Sequence, residues 1–249
     1  MEIGLVGAGN IARVIADNAK DYEVVCVYDA VKKVAQDFAK KYKCKFLRPE
    51  EFPKMDLVVE AASQQAVVEY GEKLLKKGQS LMVMSVGAFV EEGLFDRLRK
   101  AAESNRVKLV LPSGAIAGLD GLKSASVGKI EGVTLTTTKP PGGFGMAIKK
   151  RTVLYEGPAR EAVKKFPQNV NVAATLSLVG LGFDKTNVRI GEDPDTNKNE
   201  HEIYAKGEFG ELRIQVRNVP SPQNPKTSYL AAMSAVSAIR SFKESVVIG

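Results

Sequence analysis

The first 29 residues constrain the chain more than any other stretch. Ile3, Leu5 and Val6 form a short apolar run that passes directly into Gly7-Ala8-Gly9-Asn10-Ile11-Ala12, a G-x-G-x-x-A pattern. Each position has a physical reason: Gly7 allows a tight strand-to-helix turn, Gly9 lets the backbone approach a pyrophosphate with no Cβ in the way, and Ala12 lets the helix lie close to a sheet. Phosphates then rest at the helix start, beside Asn10 and Ile11. Ile11, Val14, Ile15 and Ala19 follow at helical spacing, and Glu23 to Tyr28 is a second apolar strand that ends at Asp29. An acid about 20 residues beyond the fingerprint is the one that binds a ribose hydroxyl. Glycines also serve ordinary turns, but here strand, helix and terminal acid agree on a dinucleotide site. The Asp29 carboxylate repels a 2′-phosphate, which favours NAD, while Lys32 and Lys33 just beyond it leave NADP possible.

The pattern continues as alternating helices and strands. Val31 to Tyr42 is amphipathic, Cys44 to Leu47 is a short strand, and Met55 to Ala62 is a further apolar run. Gln64 to Lys77 reads as a helix ended by Gly78, Ser80 to Ser85 as a strand, Leu94 to Ser104 as a helix and Val107 to Leu111 as a sixth strand. Such alternation implies an α/β fold, a Rossmann-type parallel sheet wound on both faces. Ligands of these sheets sit beyond the carboxyl ends of the strands. Ala61-Ala62-Ser63 and Ser85-Val86-Gly87 are therefore candidate walls for the ribose and nicotinamide, with helix caps and turns as the plain alternative.

Pro112 ends the alternation, and three regions are expected: a dinucleotide-binding domain over 1–112, a smaller mixed α/β catalytic domain with a largely antiparallel sheet over 113–220, and a linker and helix over 221–249 that packs back on the first domain. The stretch from Ser113 to Gly121 reads as a small-residue loop near a ligand. Strands are expected at 131–139, 152–156, 188–191, 201–206 and 211–218, the last two joined by Gly207-Glu208-Phe209-Gly210 as a hairpin. Gly157-Pro158 should open a short helix and Asn169 to Gly182 a longer one. Val219 to Pro225 is too rich in proline for a helix or a central strand, and Asn224-Pro225 is expected to cap a helix over 226–242 with Tyr229, Leu230, Met233, Val236 and Ile239 as its stripe.

Composition narrows the chemistry. The formal net charge is +7, but the lysines are dispersed without interleaved aromatics, so a basic surface that attracts anionic cofactor and substrate is preferred to a nucleic-acid site. No apolar run is long enough for a membrane span, and the N-terminus enters a strand in place of a signal peptide, so the cytoplasm is expected. Cys26 and Cys44 read as buried thiols, and a single histidine rules out a His-based metal centre. Patterns for nucleophilic hydrolysis and for a triphosphate-binding loop are missing. His201 is the one side chain whose ordinary pKa lies near neutrality, which makes it a candidate acid or base, although a lone histidine is also a common surface residue. Lys139 and Lys226, beside turns, are rival bases or carboxylate clamps, with solvated lysines as the plain reading.

Four segments then carry a resemblance: Pro112 to Asp120 (PSGAIAGLD), Phe166 to Ala174 (FPQNVNVAA), Asn199-Glu200-His201-Glu202-Ile203 and Asn224-Pro225-Lys226-Thr227-Ser228. Together they resemble the L-aspartate dehydrogenase family over essentially the whole chain. The resemblance implies a homodimer that oxidises L-aspartate, a small dicarboxylic amino acid, to iminoaspartate with NAD(P). The product hydrolyses to oxaloacetate and ammonia or passes to quinolinate synthesis. It also implies His201 as the catalytic histidine, and Ala115 and Asn171 as cofactor contacts. The competing expectations are another Rossmann oxidoreductase of homoserine, dihydrodipicolinate or polyol type, and a redox sensor that binds NAD without turnover.

Overall fold

The computed structural model describes residues 1–144, 148–167, 171–222 and 224–246, with the side chains of Pro225 and Lys226 excepted. Contacts divide the chain into two compact units, one of Met1–Pro112 joined by the chain from Ala232 onward, the other of Ser113–Ala231. Among the described residues no helix is long and apolar enough to cross a membrane.

The first unit contains β1 (Glu2–Val6), α1 (Asn10–Asp17), β2 (Glu23–Tyr28), α2 (Lys32–Tyr42), β3 (Lys45–Phe46), β4 (Leu57–Glu60), α3 (Gln64–Lys76), β5 (Leu81–Val83), α4 (Leu94–Asn105) and β6 (Leu109–Val110). Its six strands lie in the order β3-β2-β1-β4-β5-β6, all parallel. Helices on both faces explain why the strands are near-continuous apolar runs: Ile3, Leu5, Leu57, Val58, Val59 and Met82 are all fully buried. The chain reverses its direction across the sheet between β1 and β4, which makes the crevice beyond their carboxyl ends the ligand position of such folds. Local signals set the helix ends. Ser63 Oγ accepts from Ala66 N–H at 3.2 Å to start α3, and Gly78, with φ +76°, stops it.

The second unit contains α5 (Leu119–Ala125), β7 (Ile130–Lys139), β8 (Thr152–Pro158), α6 (Ala159–Lys165), α7 (Asn171–Val179), β9 (Thr186–Glu192), β10 (Asn199–Gly207), β11 (Gly210–Asn218), β12 (Pro220–Ser221) and β13 (Asn224–Ser228). Strands β11-β10-β7-β9-β8 form one sheet in which β7 and β9 are parallel and the other pairs antiparallel. Period-two burial gives the sheet one covered face, built from Val133 and Leu135, Val188 and Ile190, Ile203 and Ala205. A last helix, α8 (Tyr229–Ser241), runs from the second unit into the first. In the first unit its C-terminal end is tied down by Arg240 to Asp21 at 3.3 Å, and Lys243 just beyond it pairs with Asp56 at 2.6 Å.

Several local expectations are corrected. Leu119, Asp120 and Gly121 are the first turn of α5 and not loop, because Gly118 in a left-handed conformation starts a helix there and Gly121 lies against Leu212. Gly157 and Pro158 end β8, and Pro158 is the N-cap of α6 instead of a residue in its first turn. Asn224 to Ser228 is a strand, so Asn224-Pro225 caps nothing. Its partner is β12, a two-stranded ribbon being a place where proline's missing N–H is tolerated, and α8 starts only at Tyr229. The buried stripe of α8 is Ala232, Ala235, Val236 and Ile239, with Met233 left 49% exposed. Cys26 is buried but Cys44 only half so. The expected helix start at Asn169 lies outside the described residues.

Candidate functional site

In the first unit the fingerprint loop connects β1 to α1. Gly7 has φ +103°, and a Cβ there would lie 2.6 Å from the Ala61 carbonyl oxygen, so the fold itself requires this glycine. Gly9 is different. It is the N-cap of α1 in an ordinary extended conformation, and an added Cβ would meet nothing within 4 Å. The protein leaves open the volume a pyrophosphate fills, next to the half-buried Asn10 and Ile11 of the first helical turn. Asp29 stands at this loop: Oδ2 accepts from Ala8 N–H and Oδ1 from Val31 N–H, each at 2.9 Å. These residues fit a dinucleotide.

The two candidate wall segments are joined by a residue that sequence reasoning passed over. Glu60, the last residue of β4, is 2% exposed. Its Oε1 accepts from Ala62 N–H (2.8 Å), Ser63 N–H (2.9 Å) and Ser85 Oγ–H (2.9 Å), and its Oε2 accepts from Ser85 N–H (3.0 Å). One carboxylate thus holds both strand-end turns. Burial pushes its pKa up, and the four donors pull in the opposite direction. Ser63 and Ser85 therefore serve as helix cap and Glu60 partner. Ala61 is half-buried and Ala62 exposed in the first turn, whereas Val86 and Gly87 are buried at the start of a short 3-10 helix that follows Ser85. A glutamate inside the otherwise apolar run MDLVVEAA was the available signal, since a buried charge needs partners.

In the second unit the covered sheet face turns polar at one end. Thr137 pairs with His201 across β7 and β10, and Thr137 Oγ1 lies 3.0 Å from His201 Nδ1. Both are buried, 1% and 3% exposed. Loss of solvation lowers the imidazole pKa to about 3, and the positive charge of Lys139 adds to the effect. Lys139 is not the solvated lysine its turn implied: it is 3% exposed, with Nζ 4.9 Å from the centre of the Phe144 ring. Alternation along β7 puts it on the same face as Thr137. Glu192, its register partner on β9, is fully buried and accepts from Phe144 N–H at 2.6 Å. Beside His201 on β10, Asn199 pairs with Asn218 of β11, whose Nδ2 donates to the Ala115 carbonyl at 2.9 Å. Ala115, the expected cofactor contact, is thereby tied to the strand that neighbours His201. Asn171 is half-buried at the start of α7, and the side chain of Lys226 lies outside the described residues.

Residues 3–112 match the family model for the NAD-binding domain of homoserine dehydrogenase, and residues 120–242 match that for the C-terminal domain of aspartate dehydrogenase. The L-aspartate dehydrogenase of Methanosarcina barkeri is 45% identical over 100% of this chain and 99% of its own. The chain belongs to the L-aspartate dehydrogenase family. The L-aspartate dehydrogenase of Methanothermobacter thermautotrophicus is 42% identical over 100% and 98% of the two chains. A crystal structure of aspartate dehydrogenase from Thermotoga maritima superposes with a TM-score of 0.84 at 30% identity, covering 100% of this chain and 99% of that one. By contrast, myo-inositol dehydrogenase from Lactobacillus casei, solved with NAD(H) and myo-inositol, shares the fold alone, at 13% identity, a TM-score of 0.62 and coverage of 97% and 85%. The first unit is an NAD-binding domain of this family, and NAD is its cofactor.

Proposed function

We propose that the protein is an NAD-dependent L-aspartate dehydrogenase. It oxidises the α-carbon to nitrogen bond of L-aspartate to iminoaspartate, which hydrolyses to oxaloacetate and ammonia or is passed to quinolinate synthesis for NAD production. When bound, NAD supplies the hydride acceptor. The observation that carries the reading is the buried His201–Thr137 pair beside Lys139, in a chain similar over its full length to L-aspartate dehydrogenases.

The roles follow from chemistry. Burial keeps His201 neutral, and the negative carboxylates of a bound substrate raise its basicity again, so that it accepts a proton from the substrate amine or the attacking water. That role needs the tautomer in which Nδ1–H donates to Thr137 Oγ1, leaving the Nε2 lone pair for the proton. Lys139 supplies positive charge to a substrate carboxylate, with Lys226 as the rival, since an anion enclosed without a partner costs several kcal/mol. Gly7, Gly9, Asn10, Ile11 and Asp29 hold the adenosine and pyrophosphate side of the cofactor. Ala61, Ala62, Ser63, Ser85, Val86, Gly87, Ala115 and Asn171 serve its nicotinamide side. Asp29 favours NAD, with NADP as a poorer coenzyme, and the working form is a cytoplasmic homodimer.

The test is NADH oxidation with oxaloacetate in the presence and absence of ammonia. Turnover that requires ammonia supports the reading. Turnover with oxaloacetate alone identifies a hydroxy-acid enzyme, and NADH binding without turnover of any oxo-acid identifies a sensor; either result overturns it.

A further inference from the structure

We infer that Glu60 is a positioning residue for the nicotinamide half of the cofactor, acting through the two turns that its carboxylate joins. The inference stands on the NAD-binding character of the first unit and not on the identity of the amino-acid substrate. Three observations meet here. First, Glu60 lies at the switch in strand order: it pairs with Val6 of β1 on one side and Val83 of β5 on the other. Second, a dinucleotide whose pyrophosphate crosses the Gly7–Gly9 loop and whose adenosine ribose meets Asp29 on the β2 side must extend its other nucleotide to the opposite side, over β4 and β5. Third, the two turns are tied to one another from beneath. Ala61 N–H donates to the Val6 carbonyl at 2.8 Å, and the next two N–H groups together with both donors of Ser85 converge on Glu60.

The arrangement is particular to a carboxylate. All four contacts come from donors, and both oxygens are used, so the group must act purely as an acceptor. A carboxamide of the same shape places its NH2 against at least one N–H whichever way it is turned. With its oxygen toward Ala62 and Ser63 it opposes Ser85 N–H, and in the other orientation it opposes the N–H groups of Ala62 and Ser63, the Ser85 hydroxyl alone being able to turn and accept. A group that merely filled space at the end of β4 would not need this chemistry.

The experiment titrates Glu60→Gln and Ser85→Ala with NADH and with ADP, which keeps the adenosine and both phosphates but lacks the nicotinamide and its ribose. Thermal melts run alongside to establish that each variant is folded. Glu60→Gln should bind NADH about tenfold or more weakly, the loss of contacts to a charged acceptor being of that size. ADP affinity should stay within about twofold, because its anchors lie at the Gly7–Gly9 loop and on the other side of β1. Ser85→Ala removes one of the four contacts and should shift NADH in the same direction by about threefold. A folded Glu60→Gln protein with wild-type NADH affinity overturns the proposal, as does an equal loss for both ligands, which would mark a general structural role. If Glu60→Gln does not fold, Glu60→Asp, which keeps the charge but shortens the reach to the two turns, decides: unchanged NADH affinity overturns the proposal and a selective loss supports it. None of these readouts depends on aspartate turnover.

Discussion

Thr137 and His201 face one another across β7 and β10 with Oγ1 3.0 Å from Nδ1, both enclosed by the sheet's covered face. An imidazole whose Nδ1 is engaged has its ring angle set before substrate arrives. Thr137→Val keeps the shape and removes the hydroxyl, so the ring loses the contact that orients it. We expect kcat to fall about tenfold with a smaller change in KM for aspartate, and Thr137→Ser to retain most of the activity. Steady-state kinetics of the two variants against wild type check this, and equal kcat values for Val and Thr would remove the orienting role.

His201→Asn keeps size and some hydrogen bonding but cannot take up a proton. Single-turnover hydride transfer from aspartate should slow by about 10²–10⁴, the usual contribution of a general base. NADH affinity should hardly change. Equal single-turnover rates would move the search to Lys139 and Lys226.

The same burial makes stability depend on pH in a defined direction. The native imidazole has a pKa of about 3, below its ordinary 6.5. Between those values the unfolded chain holds a proton that the native state does not, so this contribution is complete above about pH 6.5 and is lost as pH falls toward about 3. The slope is about 1.4 kcal/mol per pH unit at most. Urea melts at several pH values for wild type and His201→Asn measure it, since other groups titrate alike in both. Parallel curves for the two proteins would show that His201 is not held neutral.

Gly7 and Gly9 should separate folding from binding. Gly7→Ala combines positive φ with a contact to Ala61 that cannot be relieved cheaply, and should destabilise the protein by about 1–2 kcal/mol or more. Gly9→Val meets open space and should fold with little change in Tm while losing NADH. Paired melts and NADH titrations give the answer, and a Gly9→Val protein that binds NADH like wild type would remove the premise of the cofactor site.

Asp29→Ala should weaken NAD about tenfold or more, through the ribose hydrogen bonds. The ratio of kcat/KM for NADP to that for NAD should rise, with Lys32 and Lys33 still present. Because Asp29 also holds Ala8 N–H and Val31 N–H, some loss should extend to both coenzymes. An unchanged coenzyme ratio would place the ribose elsewhere.

The first unit was legible because each of its signals is local. A strand, its turn and its helix lie within twenty residues, and the strands β1, β2, β4 and β5 are apolar enough to be read without knowing their neighbours. What escaped depends on pairings across long separations. Nothing near Thr137 in the chain says that it faces His201, 64 residues later. Asn218 reaches Ala115 over 103 residues, and Glu60 reaches Ser85 over 25. Lys139 looked solvated because it precedes a Pro-Pro-Gly-Gly turn, yet sheet alternation carries it to the covered face. The same kind of pairing, β12 with β13, overrode a plausible Asn-Pro helix start.

The strand pairing around His201 has one further consequence. β10 is held on both sides, by β7 and β11, and the hairpin closes with Gly207 opposite Gly210. On this strand the neighbours of His201 are Glu200 and Glu202, both on the opposite face. A shift of β10 by a single residue would bury those two carboxylates among Leu135, Ile190 and Ile203's neighbours and expel the imidazole to the other side. The glutamates therefore make a misaligned sheet costly, and a chain that folds at all delivers His201 to the correct side. Accuracy in placing the one histidine is enforced during folding by residues that need take no part in the reaction.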